Sequence, residues 1–136
     1  MAQISQGGFP LPEKLQGDSL GGIRFAYGFK VNITPQNSGI TTFLPDGGKV
    51  WRAKIHSEDA TSINLIFDKF HLPEGAKLFI YTPDRSQIIG AFTSENNHED
   101  GKLATSPIEG DKIVVEYYEP KNQTGEIAIG QVNHGF

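Results

Sequence analysis

The alternation of apolar and polar residues with a period of two is the feature that most restricts how this chain can fold. In residues 61–70, Ile63, Leu65 and Phe67 fall on one side of an extended chain, and polar residues interrupt the other side. No window of ten or more residues keeps apolar positions at the spacing of an amphipathic helix. The pattern therefore predicts β-strands. The first similar run extends from Ile23 to Asn32. Further runs occupy residues 40–44, 49–56, 77–82, 87–92, 112–118 and 126–133.

The connections between these runs contain residues that favour tight turns. Pro45-Asp46-Gly47-Gly48 and Pro73-Glu74-Gly75 combine a proline with a fixed φ and glycines that tolerate positive φ. About eight strands with short connections predict an all-β, antiparallel β-sandwich that is jelly-roll-like, in the manner of CUB or P domains. Residues 1–22 hold five of the sixteen glycines and lack strand periodicity. We expect residues 1–22 to form a flexible N-terminal arm or linker and residues 23–136 to form the sandwich domain.

The same alternation predicts the core. Strands 61–70 and 112–118 carry apolar residues on both faces, which is typical of central strands, and Trp51 shares one face with Ala53 and Ile55. A large aromatic at such a position more often packs between two sheets than stacks on a ligand. The predicted core anchors are Trp51, Ile63, Leu65, Phe67, Leu78, Ile80, Ile113 and Val115.

Composition excludes several classes of function. The net charge is −4 and the sequence has no run of Lys and Arg, so we expect no nucleic-acid partner. No apolar run approaches the roughly 18 residues of a membrane helix, so no membrane span is expected. The absence of cysteine excludes disulfides, thiolate zinc sites and cysteine nucleophiles. The first five residues do not resemble a signal peptide, so an exported protein would have its signal removed from this sequence.

One short motif suggests a hydrolase. Gly17-Asp18-Ser19-Leu20 matches the four letters that name a family of serine esterases, and Asp68 and His71 have the D-x-x-H spacing of their other catalytic residues. A serine nucleophile needs a sharp strand-to-helix turn, yet two prolines in residues 9–16 exclude a central strand before it. We therefore expect no catalytic residue in this segment, and we keep an esterase that uses Ser19 as an alternative.

Oxygen-bearing side chains are densest in residues 94–101, and Ca²⁺ prefers six to eight oxygen ligands. An EF-hand that begins at Asn96 would need a glutamate where Pro107 stands, so that motif is excluded. The alternatives are a solvated hairpin loop without a cofactor and a calcium loop. The candidate calcium ligands are Glu95, Asn96, Asn97, Glu99 and Asp100.

Histidines and tyrosines supply the remaining candidates. The four histidines lack the spacings of zinc sites, so no metal site is predicted from them. The four tyrosines could form an aromatic platform for sugar rings, or they could belong to the core and the sheet surface. These residues are His56, His71, His98 and His134, and Tyr27, Tyr81, Tyr117 and Tyr118.

Longer segments of the chain resemble a known family. They are "RFAYGFKVNI", "LPDGGKVWRAKIHSEDATSINLIFDKFHLPEGAKLFIYTPD", "IIGAFTSENN", "LATSPIEGDKIVVEYYEP" and "IGQVNHGF". Together they resemble the N-terminal non-catalytic β-domain of secreted trypsin-like proteases of the lysyl endopeptidase type from Bacteroidetes. The resemblance covers residues 23–136, and "FHLPEGAKLFIY" is its most specific piece.

This resemblance implies a secreted, extracellular or periplasmic protein and a propeptide or accessory role. The partner would be a protease domain in the same polypeptide, after a "VNHG" segment like residues 132–135. None of that family's catalytic residues has a counterpart here, so we expect this segment not to be an enzyme. An extracellular carbohydrate-binding module that recognises a surface glycan is the alternative function.

Overall fold

The computed structural model describes residues 22–25 and 29–135, and this part of the chain consists of β-strands with one short 3-10 turn, Ser94–Asn96. The strands are short where proline and glycine interrupt the alternation, and long where the alternation is continuous. They are β1 (Gly22–Phe25), β2 (Phe29–Ile33), β3 (Ile40–Phe43), β4 (Lys49–Ser57), β5 (Ser62–His71), β6 (Lys77–Tyr81), β7 (Ile88–Phe92), β8 (Leu103–Ala104), β9 (Ile108–Glu109), β10 (Lys112–Glu119) and β11 (Glu126–Gly135).

The strands form two sheets that pack against each other. Sheet A has the order β1-β4-β10-β6-β7, and β3 pairs with β4 beside β1. Sheet B has the order β2-β11-β5-β8, and β9 also pairs with β5. Every pairing is antiparallel except that of β1 with β4, which is parallel. The predicted antiparallel β-sandwich is therefore confirmed. It has more strands than the expected eight because the two-residue strands β8 and β9 were not predicted and because the first predicted run is divided into β1 and β2.

The core lies between the inward faces of the two sheets. All eight residues predicted as anchors are buried there, and Trp51 is fixed further because its indole N–H donates a hydrogen bond to the Ser38 carbonyl at 2.7 Å. Within the core, the Phe67 and Phe70 rings of β5 meet edge to face, with centroids 5.8 Å apart. Burial of each such side chain contributes about 1.5–3 kcal/mol, so this layer dominates the stability of the sandwich.

The turn between β3 and β4 forms where the sequence predicts it. The Gly47 amide donates to the Leu44 carbonyl at 3.0 Å, and the Leu44 amide donates to the Gly48 carbonyl at 2.8 Å. Gly47 has a φ of 93°, a conformation that side-chain-bearing residues rarely adopt. The Asp46 carboxylate accepts from the Gly48 amide at 2.8 Å. The proline–glycine segment thus joins neighbouring strands of sheet A.

One sequence prediction about the start of the domain is wrong. The alternation from Ile23 to Asn32 predicted a single strand, but β1 pairs with β4 in sheet A and β2 pairs with β11 in sheet B. Alternation specifies which residues share a face, but it does not specify the partner strand, so it cannot reveal a change of sheet. The predicted arm, residues 1–22, lies outside the described residues except for Gly22, which begins β1.

Within the described ranges, 22–25 and 29–135, no helix is long and apolar enough to span a membrane.

Candidate functional site

The outward face of sheet A carries a concentration of basic side chains that the linear sequence does not reveal. On β4, β10 and β6, residues facing away from the core alternate with core residues, and cross-strand pairing places them in rows. Two of these outward residues, Tyr81 and Val114, are also buried. On these three strands, Glu116 is the single acidic residue at an outward position. We call this surface the basic face; its outward residues are Val50, Arg52, Lys54, His56, Lys77, Phe79, Tyr81, Lys112, Val114, Glu116 and Tyr118.

Glu116 organises the centre of the basic face. Its Oε1 accepts hydrogen bonds from Arg52 Nε and from the Tyr81 hydroxyl, both at 2.8 Å. Burial alone would raise the pKa of Glu116, but these two hydrogen bonds outweigh it and hold the pKa below its ordinary value. The Arg85 guanidinium lies 4.8 Å from the centroid of the Tyr81 ring, in a cation–π contact. The four side chains therefore form one connected polar cluster.

Three lysines surround this cluster without a bound counter-charge. Lys54, Lys77 and Lys112 are exposed, and none of them forms an ion pair within the described part of the chain. Lys77 pairs with the half-buried Tyr118, whereas Lys54 pairs with Val114 and Lys112 pairs with His56. Aromatic residues and arginine are enriched at protein interfaces whereas lysine is depleted, so these lysines matter as unpaired cations that attract an acidic partner. The basic face therefore combines positive charge with half-buried aromatic side chains on one surface.

A cleft of about 660 Å³ opens at one end of the sandwich, where β3 and the ends of β4 and β10 face the ends of β2, β5 and β11. Its volume lies within the roughly 300–1,000 Å³ of small-molecule sites. We call it the end cleft. Its lining residues are Asn32, Thr34, Pro35, Gln36, Thr41, Phe43, Lys49, Trp51, Asp68, Lys69, Tyr117, Glu119, Thr124, Gly125, Glu126, Ile127 and Ala128.

The floor of the end cleft contains a buried carboxylate with a full set of partners. Glu119 is only 5% exposed, and its Oε2 accepts from the Tyr117 hydroxyl at 2.9 Å and from the Gly125 amide at 2.8 Å. Its Oε1 lies 3.3 Å from Lys49 Nζ. Burial and the hydrogen bond to Glu119 both raise the pKa of Tyr117 far above its ordinary value, so the phenol stays protonated and keeps donating.

The rim of the end cleft differs from its floor because it has unused polar groups and an exposed aromatic. Phe43 is 77% exposed although it shares the inward parity of Thr41 on β3. Six polar residues of the lining form no side-chain hydrogen bond within the described part of the chain, so their side chains are available to a ligand. They are Asn32, Thr34, Gln36, Thr41, Asp68 and Thr124.

Residues of the esterase hypothesis are not brought together in the part of the chain that the structure describes. Ser19 lies outside the described residues, while Asp68 and His71 are exposed on β5. A serine–histidine contact that the sequence did not suggest does occur, because Ser57 Oγ lies 2.8 Å from His134 Nδ1. Ser57 is 0% exposed, so a substrate carbonyl cannot reach its hydroxyl. The contact links the end of β4 to the end of β11.

The candidate calcium loop uses its oxygen atoms to hold its own backbone. The side-chain oxygen of Asn96 accepts from the Thr93 amide at 2.8 Å, and that of Asn97 accepts from the Leu72 amide at 2.9 Å. The Asp100 carboxylate accepts from the Lys102 amide at 2.9 Å. Among the described residues, no three His, Asp or Glu side chains are grouped so that they could hold a metal ion. The remaining candidates, Glu95 and Glu99, are exposed on the same loop.

The tyrosines do not form one platform. Tyr117 is buried on the inward face of sheet A, whereas Tyr81 and Tyr118 lie on its outward face, and Tyr27 lies outside the described residues. The exposed aromatic at the end cleft is Phe43, which the sequence reasoning did not single out. The available signal was a phenylalanine near the end of a predicted strand, two residues before the proline of a turn.

The histidines are dispersed over the described residues. His56 Nε2 lies 3.2 Å from the Asp111 carboxylate at the rim of the basic face, and His134 contacts Ser57. His71 and His98 are exposed on different elements.

No model of a known protein family matches this chain. The most specific segment of the resemblance to protease accessory domains, residues 70–81, ends β5 and forms β6. Phe70, Leu78 and Ile80 of this segment are buried, while Lys77 lies on the basic face. The residues that carry the resemblance therefore serve mainly the packing of the sandwich.

Proposed function

We propose that this chain is a non-catalytic N-terminal domain of a secreted bacterial protease, and that it binds the trypsin-like protease domain encoded after it. The domain acts as a propeptide or accessory module. The resemblance over residues 23–136 is the basis for the partner. The composition of the basic face is the structural observation that supports a binding role.

The basic face suits a docking role because its charges are arranged in two ways. Arg52 is held against Glu116, so it is oriented before any partner arrives, whereas Lys54 and Lys112 remain free to meet carboxylates. Complementary charges increase the rate of encounter and select the correct orientation, and buried aromatics supply most of the affinity. A standard interface of about 800 Å² per partner is within the reach of one sheet face.

The proposal is tested with the full chain and a recombinant protease domain of the lysyl endopeptidase type, which the codons after Phe136 would identify. The double variant Lys54→Glu with Lys112→Glu reverses two charges on the basic face. The matched control reverses Lys30, which is exposed on β2 of sheet B, and Lys102, which is exposed on the segment before β8. Surface plasmon resonance at about 0.05 and 0.15 M salt measures the association and dissociation rates.

We expect the basic-face variant to slow association at least tenfold at low salt, and the control variant to stay within twofold of the native chain. Native association should also slow as the salt concentration rises, because exposed charges are screened. The proposal fails if the native chain does not bind the protease domain, or if both double variants weaken binding equally.

A further inference from the structure

We infer that the end cleft is a binding site for a neutral oligosaccharide. This inference concerns a different surface from the basic face and does not depend on a protease partner. Three properties of the cleft carry it: the pairing of its charges, the character of its free side chains and the rigidity of its walls.

The charges of the end cleft largely cancel. Lys49 lies 3.3 Å from Glu119, and Lys69 lies 3.6 Å from Glu126, so both lysines of the lining are paired with carboxylates. Asp68 is the remaining charged residue of the lining. Among the described lining residues, no unpaired cation balances this carboxylate against an anionic ligand, and the resulting repulsion disfavours acidic polysaccharides and nucleotides. A neutral ligand matches the cleft best.

The free side chains of the lining favour a polyol over an apolar ligand. Asn32, Thr34, Gln36, Thr41 and Thr124 each combine a donor with an acceptor, as sugar hydroxyl groups do. An apolar ligand would cover these groups without hydrogen bonds, and each buried unsatisfied group costs about 1–3 kcal/mol. The carboxylate of Asp68 can accept hydrogen bonds from two neighbouring hydroxyl groups of a sugar.

Phe43 supplies the apolar component of sugar recognition. The ring is 77% exposed at the cleft, in the same cross-strand row as Lys49 and Glu119. The C–H groups on one face of a pyranose ring form an apolar surface that can cover an aromatic ring while the hydroxyl groups at its edge contact polar neighbours. Covering most of the Phe43 ring removes apolar area from water, which favours binding.

Both walls of the end cleft are fixed in advance. On one side, Asn37 closes the turn after β2, because its side chain accepts from the Thr34 amide at 2.9 Å and donates to the Asn32 carbonyl at 2.9 Å. On the other side, the Gly125 amide is held by Glu119. A preformed site spends little free energy on ordering when a ligand binds, so modest contacts suffice for measurable affinity.

The experiment is isothermal titration calorimetry of the full chain with neutral hexasaccharides. The panel contains β-1,4-glucose, β-1,4-mannose, β-1,4-xylose and α-1,4-glucose oligomers, and polygalacturonate serves as the anionic probe. Phe43→Ala removes the exposed ring. Ile88→Ala is the matched control, because Ile88 is 54% exposed on β7 at the opposite edge of sheet A. Near-ultraviolet circular dichroism of both variants establishes that they retain the native fold.

We expect at least one neutral hexasaccharide to bind, Phe43→Ala to weaken that binding at least tenfold, and Ile88→Ala to leave it within twofold. The inference is wrong if no neutral oligomer of the panel binds, if only polygalacturonate binds, or if Phe43→Ala has no effect. A measurement of how the Phe43→Ala variant associates with the protease domain separates the two proposals. An unchanged association supports separate surfaces, whereas its loss together with no binding of any neutral oligomer would assign the end cleft to protein docking and overturn the sugar site.

Discussion

Replacement of Glu119 by alanine should destabilise the sandwich strongly, because this carboxylate is the shared acceptor at the floor of the end cleft. The variant leaves the buried Tyr117 hydroxyl and the half-buried Gly125 amide without an acceptor. A buried unsatisfied group costs about 1–3 kcal/mol, and the Gly125 amide falls at the low end because water can reach it, so the expected loss is about 2–4 kcal/mol. That loss is a large part of the 5–15 kcal/mol that stabilises a typical domain.

Two companion variants separate hydrogen bonding from charge at the same position. Glu119→Gln keeps an oxygen for both donors but loses the negative charge and the Oε1 acceptor that faces Lys49, so it should cost about 1–2 kcal/mol. Lys49→Met removes the ion pair, and because Lys49 is half exposed the loss should stay within about 1 kcal/mol.

Urea unfolding followed by fluorescence of Trp51, the one tryptophan of the chain, measures the free energy of unfolding of each variant. The expected order of destabilisation is Glu119→Ala, then Glu119→Gln, then Lys49→Met. The reasoning is refuted if Lys49→Met costs as much as Glu119→Ala, or if Glu119→Ala lies within about 0.5 kcal/mol of the native chain.

Two further predictions concern backbone geometry and protonation. Gly39→Ala should lower the free energy of unfolding by about 1–3 kcal/mol, because Gly39 has a φ of 72° and a Cβ there would meet the Trp51 indole and the Arg52 carbonyl. Gly101 has a φ of 69° and open space around it, so Gly101→Ala should cost clearly less in the same urea assay. Equal losses of stability in the two variants would contradict the steric argument. Hydrogen bonds from the Ser86 amide and from neighbouring hydroxyl groups lower the pKa of Asp84 to about 2. The contribution of the ionised Asp84 to the stability of the fold is therefore present above the ordinary pKa near 4 and is lost as the pH falls through about 2. A carboxyl ¹³C titration of Asp84 by NMR with a midpoint near 4 would contradict this prediction.

The period-two pattern predicts the fold because each face of a strand has a different environment. On β4, the order Trp51, Arg52, Ala53, Lys54 already indicates which side chains are buried, and the structure agrees. Alternation carries no information about which strand lies next to which. For this reason the change of sheet between β1 and β2 could not be predicted.

The candidate sites depend on the same missing information. Lys54, Lys77 and Lys112 are dispersed in the sequence, and the pairing of β10 with both β4 and β6 brings them onto one face. Phe43 lies within the predicted strand 40–44, but its exposure follows from its place at the mouth of the end cleft, and this place depends on the positions of both sheets. The tyrosines were singled out by residue type alone, and the sheet separates Tyr117 from Tyr118.

The most direct test of the central proposal is lysine footprinting of the full chain, free and in complex with the protease domain, with mass spectrometry to measure acetylation at each lysine. If the basic face is the docking surface, Lys54, Lys77 and Lys112 should lose reactivity in the complex, while Lys30 and Lys102 should react as in the free chain. Protection of Lys30 and Lys102 with unchanged reactivity of Lys54, Lys77 and Lys112 would contradict the proposal.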